Sequence, residues 1–208
     1  MTISSKCLKS TIYFLVLIFV FTVSCNQSKP PKATTAKVIT SKTFKILPLG
    51  NVDKVILSNT YNSLVKFLPK LEVLSSTRMP PIAYYKPRDR YRADSLIHWL
   101  NSKAKSNEIY VGLTGVDISA TKGIHEDWGV MGLSYIPGKA CVVSYARLKD
   151  KSTFYKVVIH EIGHTMGLPH CPNKTCFMRD ADGKDTTGEE KEFCQACKAR
   201  LIKSGWNL

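Results

Sequence analysis

Residues 160 to 171, HEIGHTMGLPHC, contain three of the five histidines in a chain of 208 residues. His160 and His164 are four residues apart, so on a helix they lie one turn apart on the same face and both imidazoles can reach one metal ion. Gly167 can adopt a positive φ, end that helix and turn the chain. After this turn, His170 can approach the ion from another direction. Three imidazoles leave a fourth tetrahedral position open for water, which is the arrangement of a catalytic zinc.

Glu161 adds a carboxylate to this predicted metal site. On a helix it is rotated by about 100° from His160, close enough to approach a metal-bound water without taking a coordination position. Zinc lowers the pKa of such a water, and the carboxylate can take its proton as the water attacks a peptide carbonyl. The segment therefore predicts hydrolysis of an amide. The two other histidines, His98 and His125, have no such neighbours and are interpreted as ordinary surface or core residues.

The cysteines form a second group. Cys141 stands alone in the apolar run ACVVSYARL and is predicted to be a buried free thiol. Four of the seven cysteines lie in the last fifth of the chain and require an explanation of their own: Cys171, Cys176, Cys194 and Cys197.

A longer pattern joins the histidines to these cysteines. The spacing H-E-x-x-H-x-x-G-x-x-H is the signature of the metzincin zinc peptidases. In this chain Cys171 follows His170 directly, the run Cys176-Phe177-Met178 comes next, and Cys194-Gln195-Ala196-Cys197 follows later. The whole pattern closely resembles the archaemetzincins, which add a four-cysteine zinc site to the metzincin motif. The resemblance covers most of residues 43 to 203.

This resemblance implies a zinc-dependent metallopeptidase that acts on a peptide or protein and binds two zinc ions per chain. It leaves open whether the enzyme is an endopeptidase or an aminopeptidase. Glu161 would be the general base, Gly167 would turn the chain, and Met178 would supply the methionine turn beneath the metal. The implied ligands are His160, His164 and His170 for the catalytic zinc, and Cys171, Cys176, Cys194 and Cys197 for the structural zinc.

Two other interpretations of the four cysteines remain open. An exported protein meets an oxidising environment, so the cysteines can form two disulfides instead of a zinc site. The pair Cys194 and Cys197 also has the Cys-x-x-Cys spacing of redox-active thiols. A closed zinc site is favoured because the family pattern fits, and because it would fix the direction in which His170 points.

Hydrophobic periodicity predicts an α/β (α+β) fold with a mixed five-stranded sheet and three helices. The resemblance implies that this sheet is metzincin-like and that a C-terminal subdomain is stabilised by zinc. By resemblance, the strand at 130–136 would be an edge strand on which an extended substrate docks. The predicted strands are 43–49, 72–76, 108–113, 130–136 and 140–146, and the predicted helices are 53–68, 92–104 and one that Ser152 caps and that runs into the histidine motif.

The N-terminus has the features of an export signal. Residues 1–25 have a basic start and an apolar run, and they end in Thr-Val-Ser-Cys, which resembles the lipobox of bacterial lipoproteins. We therefore expect a lipid on Cys25, a flexible linker over residues 26–42 and a metallopeptidase domain over residues 43–208. This organisation predicts a protein of the bacterial cell envelope that is anchored to a membrane. Plain secretion and an uncleaved anchor are the alternatives.

The charge is strongly basic, with 30 lysines and arginines against 16 acidic residues. Scattered charges of this kind indicate a solubilising surface that faces the envelope more than a binding site for anions. No nucleic-acid motif is present, and we expect a monomer. Three other functions stay open: a catalytically silent, zinc-stabilised binding lipoprotein, a zinc amidohydrolase acting on an envelope amide, and a redox lipoprotein. The intact Glu161 argues against the first of these.

Overall fold

Two β-sheets and four α-helices make up residues 42–208, the part of the chain that the computed structural model describes. The predicted signal segment, the lipidation candidate Cys25 and the linker up to residue 41 lie outside the described residues. The elements in chain order are β1 (Thr43–Leu49), α1 (Lys54–Leu64), β2 (Leu71–Val73), β3 (Tyr84–Tyr85), β4 (Arg90–Arg92), α2 (Ala93–Lys103), β5 (Glu108–Thr114), β6 (Ile118–Lys122), β7 (His125–Val130), β8 (Gly132–Ser134), β9 (Ala140–Ser144), α3 (Phe154–Thr165) and α4 (Gln195–Ile202).

The larger sheet has five strands in the order β2-β1-β5-β9-β8. The first four strands run parallel to one another, and β8 pairs antiparallel with β9 at one edge. The prediction of a mixed five-stranded sheet is therefore confirmed, and each strand lies within or close to a predicted segment. The alternating apolar residues of β1 and β5 bury both faces of the sheet, as expected where helices cover a parallel sheet.

The smaller sheet, in the order β3-β4-β6-β7, was not predicted. Its strands are two to six residues long, and the six residues of β7 read HEDWGV, without an apolar alternation. Ion pairs between charged residues connect its strands instead. Nε of Arg90 lies 3.3 Å from Oδ2 of Asp117, and Nη1 of Arg90 lies 3.4 Å from Oδ2 of Asp127. The predicted strand at 130–136 begins inside β7, passes Met131 and continues as β8 of the other sheet.

The three predicted helices are present with shorter bounds. Asp53 caps α1 by accepting hydrogen bonds from the backbone N–H groups of Val55 and Ile56. The helix ends at Leu64 and not at Leu68, because Pro69 follows and disfavours helical backbone before it. The predicted cap of α3, Ser152, is wrong: the carboxylate of Asp150 accepts from the backbone N–H of Ser152, and a 3₁₀ turn leads into the helix. The fourth helix, α4, was not predicted.

The helices lie on opposite faces of the larger sheet. Phe44, Ile46 and Val111 face a core that α1, α3 and the C-terminal segment complete, with Trp206 packed edge-on against Phe44. Leu47, Ala140 and Val142 face a second core with α2 on the other side of the sheet. The strands thus present alternate residues to the two cores, and α3 packs against β8 and β9. Within the described residues, no helix is both long and apolar enough to span a membrane.

Candidate active site

The helix α3 and the turn after it bring the three predicted histidines together. The ring centroids of His160 and His164 are 4.6 Å apart, and that of His170 lies 5.5 and 4.8 Å from them. One ligand nitrogen from each ring lies within 4.8 Å of the others. Gly167 has a φ of +86°, and the backbone N–H of Leu168 donates to the carbonyl of Gly163. The positive φ predicted for Gly167 is thus observed, and it sends the chain back toward the helix.

Nδ1 of each imidazole lies near an oxygen atom of the protein. Nδ1 of His160 lies 2.6 Å from the carbonyl oxygen of Phe177, and Nδ1 of His164 lies 2.7 Å from that of Leu168. Nδ1 of His170 lies 3.4 Å from a carboxylate oxygen of Asp180. A carbonyl can only accept, so Nδ1 carries the proton in the first two rings and Nε2 presents its lone pair. This donor set fits a zinc ion with an open fourth position.

Burial keeps the helical histidines uncharged. It lowers the pKa of His160 to about 4, and it also lowers the pKa of His164, whose side chain is buried. A neutral imidazole is the form that binds a metal ion, so these two rings are ready as ligands at neutral pH. His170 is exposed, on the open side of the site. His98 and His125 are also exposed and belong to neither of the two groups of candidate metal ligands among the described residues.

Glu161 is buried beside the histidines, and two residues of the edge strand β8 contact it. The hydroxyl of Ser134 donates a hydrogen bond of 2.7 Å to Oε2 of Glu161. Gly132 lies so close that a Cβ atom there would be 2.5 Å from Oε1. Burial raises the pKa of Glu161, which favours uptake of a proton, while the bond from Ser134 lowers it. Sequence reasoning missed Ser134 and Gly132, since nothing in their local spacing connects them to a helix almost thirty residues away.

Met178 lies under the histidine cluster. It is fully buried, and its sulfur lies so close to the helix that a Cβ atom on Gly163 would be 2.4 Å from Sδ. The small residue between the two histidine turns therefore makes room for this methionine. The position of Met178 against Gly163 is compatible with the methionine turn that the resemblance implies.

The four C-terminal cysteines converge on one point. Their sulfur atoms all lie within 4.8 Å of one another, and Sγ of Cys171 is 3.7 Å from Sγ of Cys194. Four thiolates at about 2.3 Å from one zinc ion are roughly 3.8 Å apart, so the cluster fits such an ion. The backbone N–H groups of Met178 and Cys194 donate to Sγ of Cys176, which stabilises a thiolate. Cys141 lies elsewhere as a buried free thiol, as predicted.

The two candidate metal sites are mechanically connected. Cys171 follows His170 directly, and its backbone N–H donates a hydrogen bond of 2.7 Å to the carbonyl of Met178. A hydrogen bond from the backbone N–H of Cys197, together with side-chain hydrogen bonds from the other three cysteines, lowers the pKa of the Cys194 thiol to about 7. A cross-link through the cysteines therefore fixes both the segment that carries His170 and the segment that carries Met178.

A cavity of about 420 Å³ opens beside His160 and Glu161. One wall is formed by β7 and β8, including Trp128 and Gly129, and the opposite wall by residues 179 to 190. Because β8 is the last strand of the larger sheet, one of its edges is unpaired among the described residues. The cavity, the edge strand and the histidines thus share one cleft.

A histidine triad with an open position, a buried carboxylate beside it and an adjoining cleft define a zinc metallopeptidase as the class of this protein. A family model described as "Peptidase family M54" matches residues 39–203. The chain therefore belongs to peptidase family M54.

The comparison with known proteins also supports the resemblance to archaemetzincins. The archaemetzincin of Natronomonas pharaonis is 29% identical over 108 residues, which span 51% of this chain and 60% of that relative. The crystal structure of archaemetzincin from Archaeoglobus fulgidus, in complex with malonate, matches with a TM-score of 0.64 and 28% identity, and covers 76% of this chain and 99% of its own. That from Methanopyrus kandleri matches with a TM-score of 0.66 and 27% identity, with coverages of 82% and 98%.

Proposed function

We propose that this chain hydrolyses peptide bonds as a zinc-dependent peptidase with Glu161 as the general base. The observation that carries the proposal is the position of the buried carboxylate of Glu161 beside three converging imidazoles at the mouth of a cleft. A buried carboxylate has a high desolvation cost and little structural use next to an open metal site. Its presence there favours catalysis over a silent binding role.

Each residue of the site has its own role in the proposed hydrolysis. His160, His164 and His170 would hold zinc, which when bound supplies a Lewis acid for the scissile carbonyl and for the attacking water. Glu161 takes a proton from that water and returns it to the departing amine. Ser134 holds the carboxylate in place through its hydrogen bond to Oε2. The unpaired edge of β8 offers main-chain hydrogen bonds to an extended peptide.

The second part of the proposal is a structural zinc bound by Cys171, Cys176, Cys194 and Cys197, which gives two ions per chain. The separation of 3.7 Å between Sγ of Cys171 and Sγ of Cys194 supports a metal ion that both thiolates bind. Four thiolates close the coordination sphere and leave no position for substrate. The ion would join the segments that carry Cys171, Cys176 and the pair Cys194 and Cys197, and hold His170 in its orientation.

The proposed location is the bacterial cell envelope, with the peptidase domain of residues 43–208 tethered to a membrane through a lipid on Cys25 and the linker of residues 26–42. This part rests on the sequence alone. Mass spectrometry of the N-terminal fragment after expression in a bacterium tests it. We expect a diacylglycerol-modified Cys25 and release of the domain from membranes by Cys25→Ala. An unmodified thiol on a membrane-free protein would overturn the proposal.

Peptide-library cleavage by the protein without residues 1–25 tests the peptidase function. We expect cleavage by the zinc-loaded protein, loss after chelation, recovery on adding zinc, and no cleavage by Glu161→Ala. His98→Ala, which changes an exposed histidine outside the site, serves as the matched control and should retain activity. A zinc-loaded protein that cleaves no peptide would favour a silent binding protein or an amidohydrolase. Activity that survives loss of the site histidines would favour the redox alternative.

A further inference from the structure

Glu190 lies in the inner wall of the cavity beside the candidate active site. Its side chain is only 6% exposed. The acidic residues at the mouth of the cavity, Asp180 and Asp182, are exposed. The cavity-lining residues that share the burial of Glu190, apart from Glu161, are Val157, Thr186 and Thr187.

The carboxylate of Glu190 is only partly satisfied by the protein. The hydroxyl of Thr186 donates a hydrogen bond of 2.8 Å to Oε1, while Oε2 accepts none from the described residues. The ammonium of Lys156 is directed to two carbonyl oxygens, those of Thr187 at 2.7 Å and Glu190 at 2.6 Å. No ion pair within residues 42–208 includes this carboxylate. Burial raises the pKa of Glu190, while the hydrogen bond from Thr186 and the charges of Lys156 and Arg179 lower it, so a further cation bound directly to Oε2 would favour the ionised carboxylate.

The positive charges that line the cavity form no direct ion pair with this carboxylate. Arg147 is engaged by Asp117 through two hydrogen bonds of 2.6 and 2.8 Å, and Arg179 by Glu189 at 2.6 Å. Neither of these acids lines the cavity. The two remaining basic lining residues, Lys122 and Lys149, are exposed at the mouth of the cavity. The inner wall therefore presents negative charge, although the chain as a whole is strongly basic.

We propose that Glu190 selects peptides with a lysine or arginine next to the scissile bond, whose cationic end enters the cavity and binds Oε2. This inference rests on the proposed peptidase function and gives its substrate class. The cavity borders His160 and Glu161, so a side chain that enters it belongs to a residue adjacent to the bond being cleaved. Its volume of about 420 Å³ accommodates a long side chain. Val157 contacts the aliphatic stem, and Glu190 meets the charge at its end.

The test compares the zinc-loaded protein with Glu190→Gln and the control Glu192→Gln on a peptide library. Glutamine keeps an acceptor for Thr186 and removes the charge, while Glu192 carries the same charge two residues away and pairs with Lys198, outside the cavity. We expect cleavage beside lysine or arginine, and a loss of kcat/KM of roughly tenfold or more for basic peptides in Glu190→Gln. Peptides with norleucine at that position should be cleaved equally by all three proteins.

A binding measurement separates failure of this inference from failure of the peptidase function. Zinc-loaded Glu161→Ala, which is not expected to cleave, is titrated with matched lysine and norleucine peptides, with and without Glu190→Gln. We expect tighter binding of the lysine peptide that disappears with Glu190→Gln. Equal affinity for both peptides would overturn the inference, whether or not the parent protein cleaves. Cleavage by the parent without preference for a basic residue would overturn it as well.

Discussion

The hydroxyl of Ser134 donates a hydrogen bond of 2.7 Å to Oε2 of Glu161. This bond joins the edge strand β8 to the helix α3, which otherwise meet only through packing. The strand whose unpaired edge is proposed to bind a peptide thereby also contacts the proposed general base. Under the proposed function, this one side chain couples substrate alignment to base orientation.

Loss of this hydrogen bond should slow turnover with little effect on substrate binding. For Ser134→Ala we expect kcat to fall by roughly tenfold or more with KM nearly unchanged, because the bond orients a catalytic group and does not contact the peptide. Ser134→Thr keeps a hydroxyl and should restore most of the activity. Steady-state kinetics on one peptide decide the matter. Equal kcat values for Ser134→Ala and the parent would contradict a role of Ser134 in positioning Glu161.

The close approach of β8 to the general base predicts that a single methyl group is disruptive. In Gly132→Ala the new Cβ would lie 2.5 Å from Oε1 and 2.6 Å from Cγ of Glu161, so the carboxylate must move. We expect at least a tenfold loss of kcat with zinc content retained. Gly188→Ala is the control, since its Cβ meets no atom within 4 Å. Metal analysis and kinetics are measured on both variants, and full activity of Gly132→Ala would contradict the geometry.

The cysteine cluster predicts a second zinc ion per chain, in addition to the zinc ion of the histidine site. We expect Cys197→Ser to bind one fewer zinc ion, to unfold at a lower temperature and to hold the catalytic zinc more weakly, because the cluster fixes the segment that begins at Cys171. Cys141→Ala, which alters a buried thiol outside the cluster, should keep both ions. Zinc analysis with thiol counts under denaturing conditions checks this. One zinc per parent chain and no free thiol beyond Cys141 would show disulfides instead.

Acidification should destabilise the metal-free protein through His160, whose imidazole takes up a proton more readily in the unfolded chain than in the folded chain. The folded chain holds the pKa of His160 at about 4, against an ordinary value of 6.5, so the unfolded chain binds more protons between these two values. The free energy of unfolding attributable to His160 therefore falls as the pH decreases from about 6.5 to 4 and is constant below that range. Urea unfolding of the chelated parent and of His160→Gln measures the difference. A parent that is less pH-dependent than the variant would contradict this assignment.

The sequence predicts the five-stranded sheet and three helices from local periodicity, and the histidine cluster from short spacing, while the four-cysteine cluster was implied by the resemblance to archaemetzincins. The second sheet escaped prediction because its strands are short and their charged residues, such as Arg90 and Asp127, find partners only in three dimensions. Ser152 was predicted to cap α3, but Asp150 caps a preceding 3₁₀ turn and α3 begins after Thr153, whose side chain makes no capping bond. Ser134 and Glu190 reach the site through tertiary packing, which spacing along the chain does not reveal.

The central claim is tested most directly by kcat/KM of Glu161→Gln on a cleaved peptide, at full zinc occupancy. Glutamine preserves the shape of the side chain and removes the proton acceptor. The account predicts a loss of about 10²-fold to 10⁴-fold with both zinc ions retained and the unfolding temperature close to that of the parent. Activity within a few fold of the parent at the same zinc content would contradict the role of Glu161 as the general base.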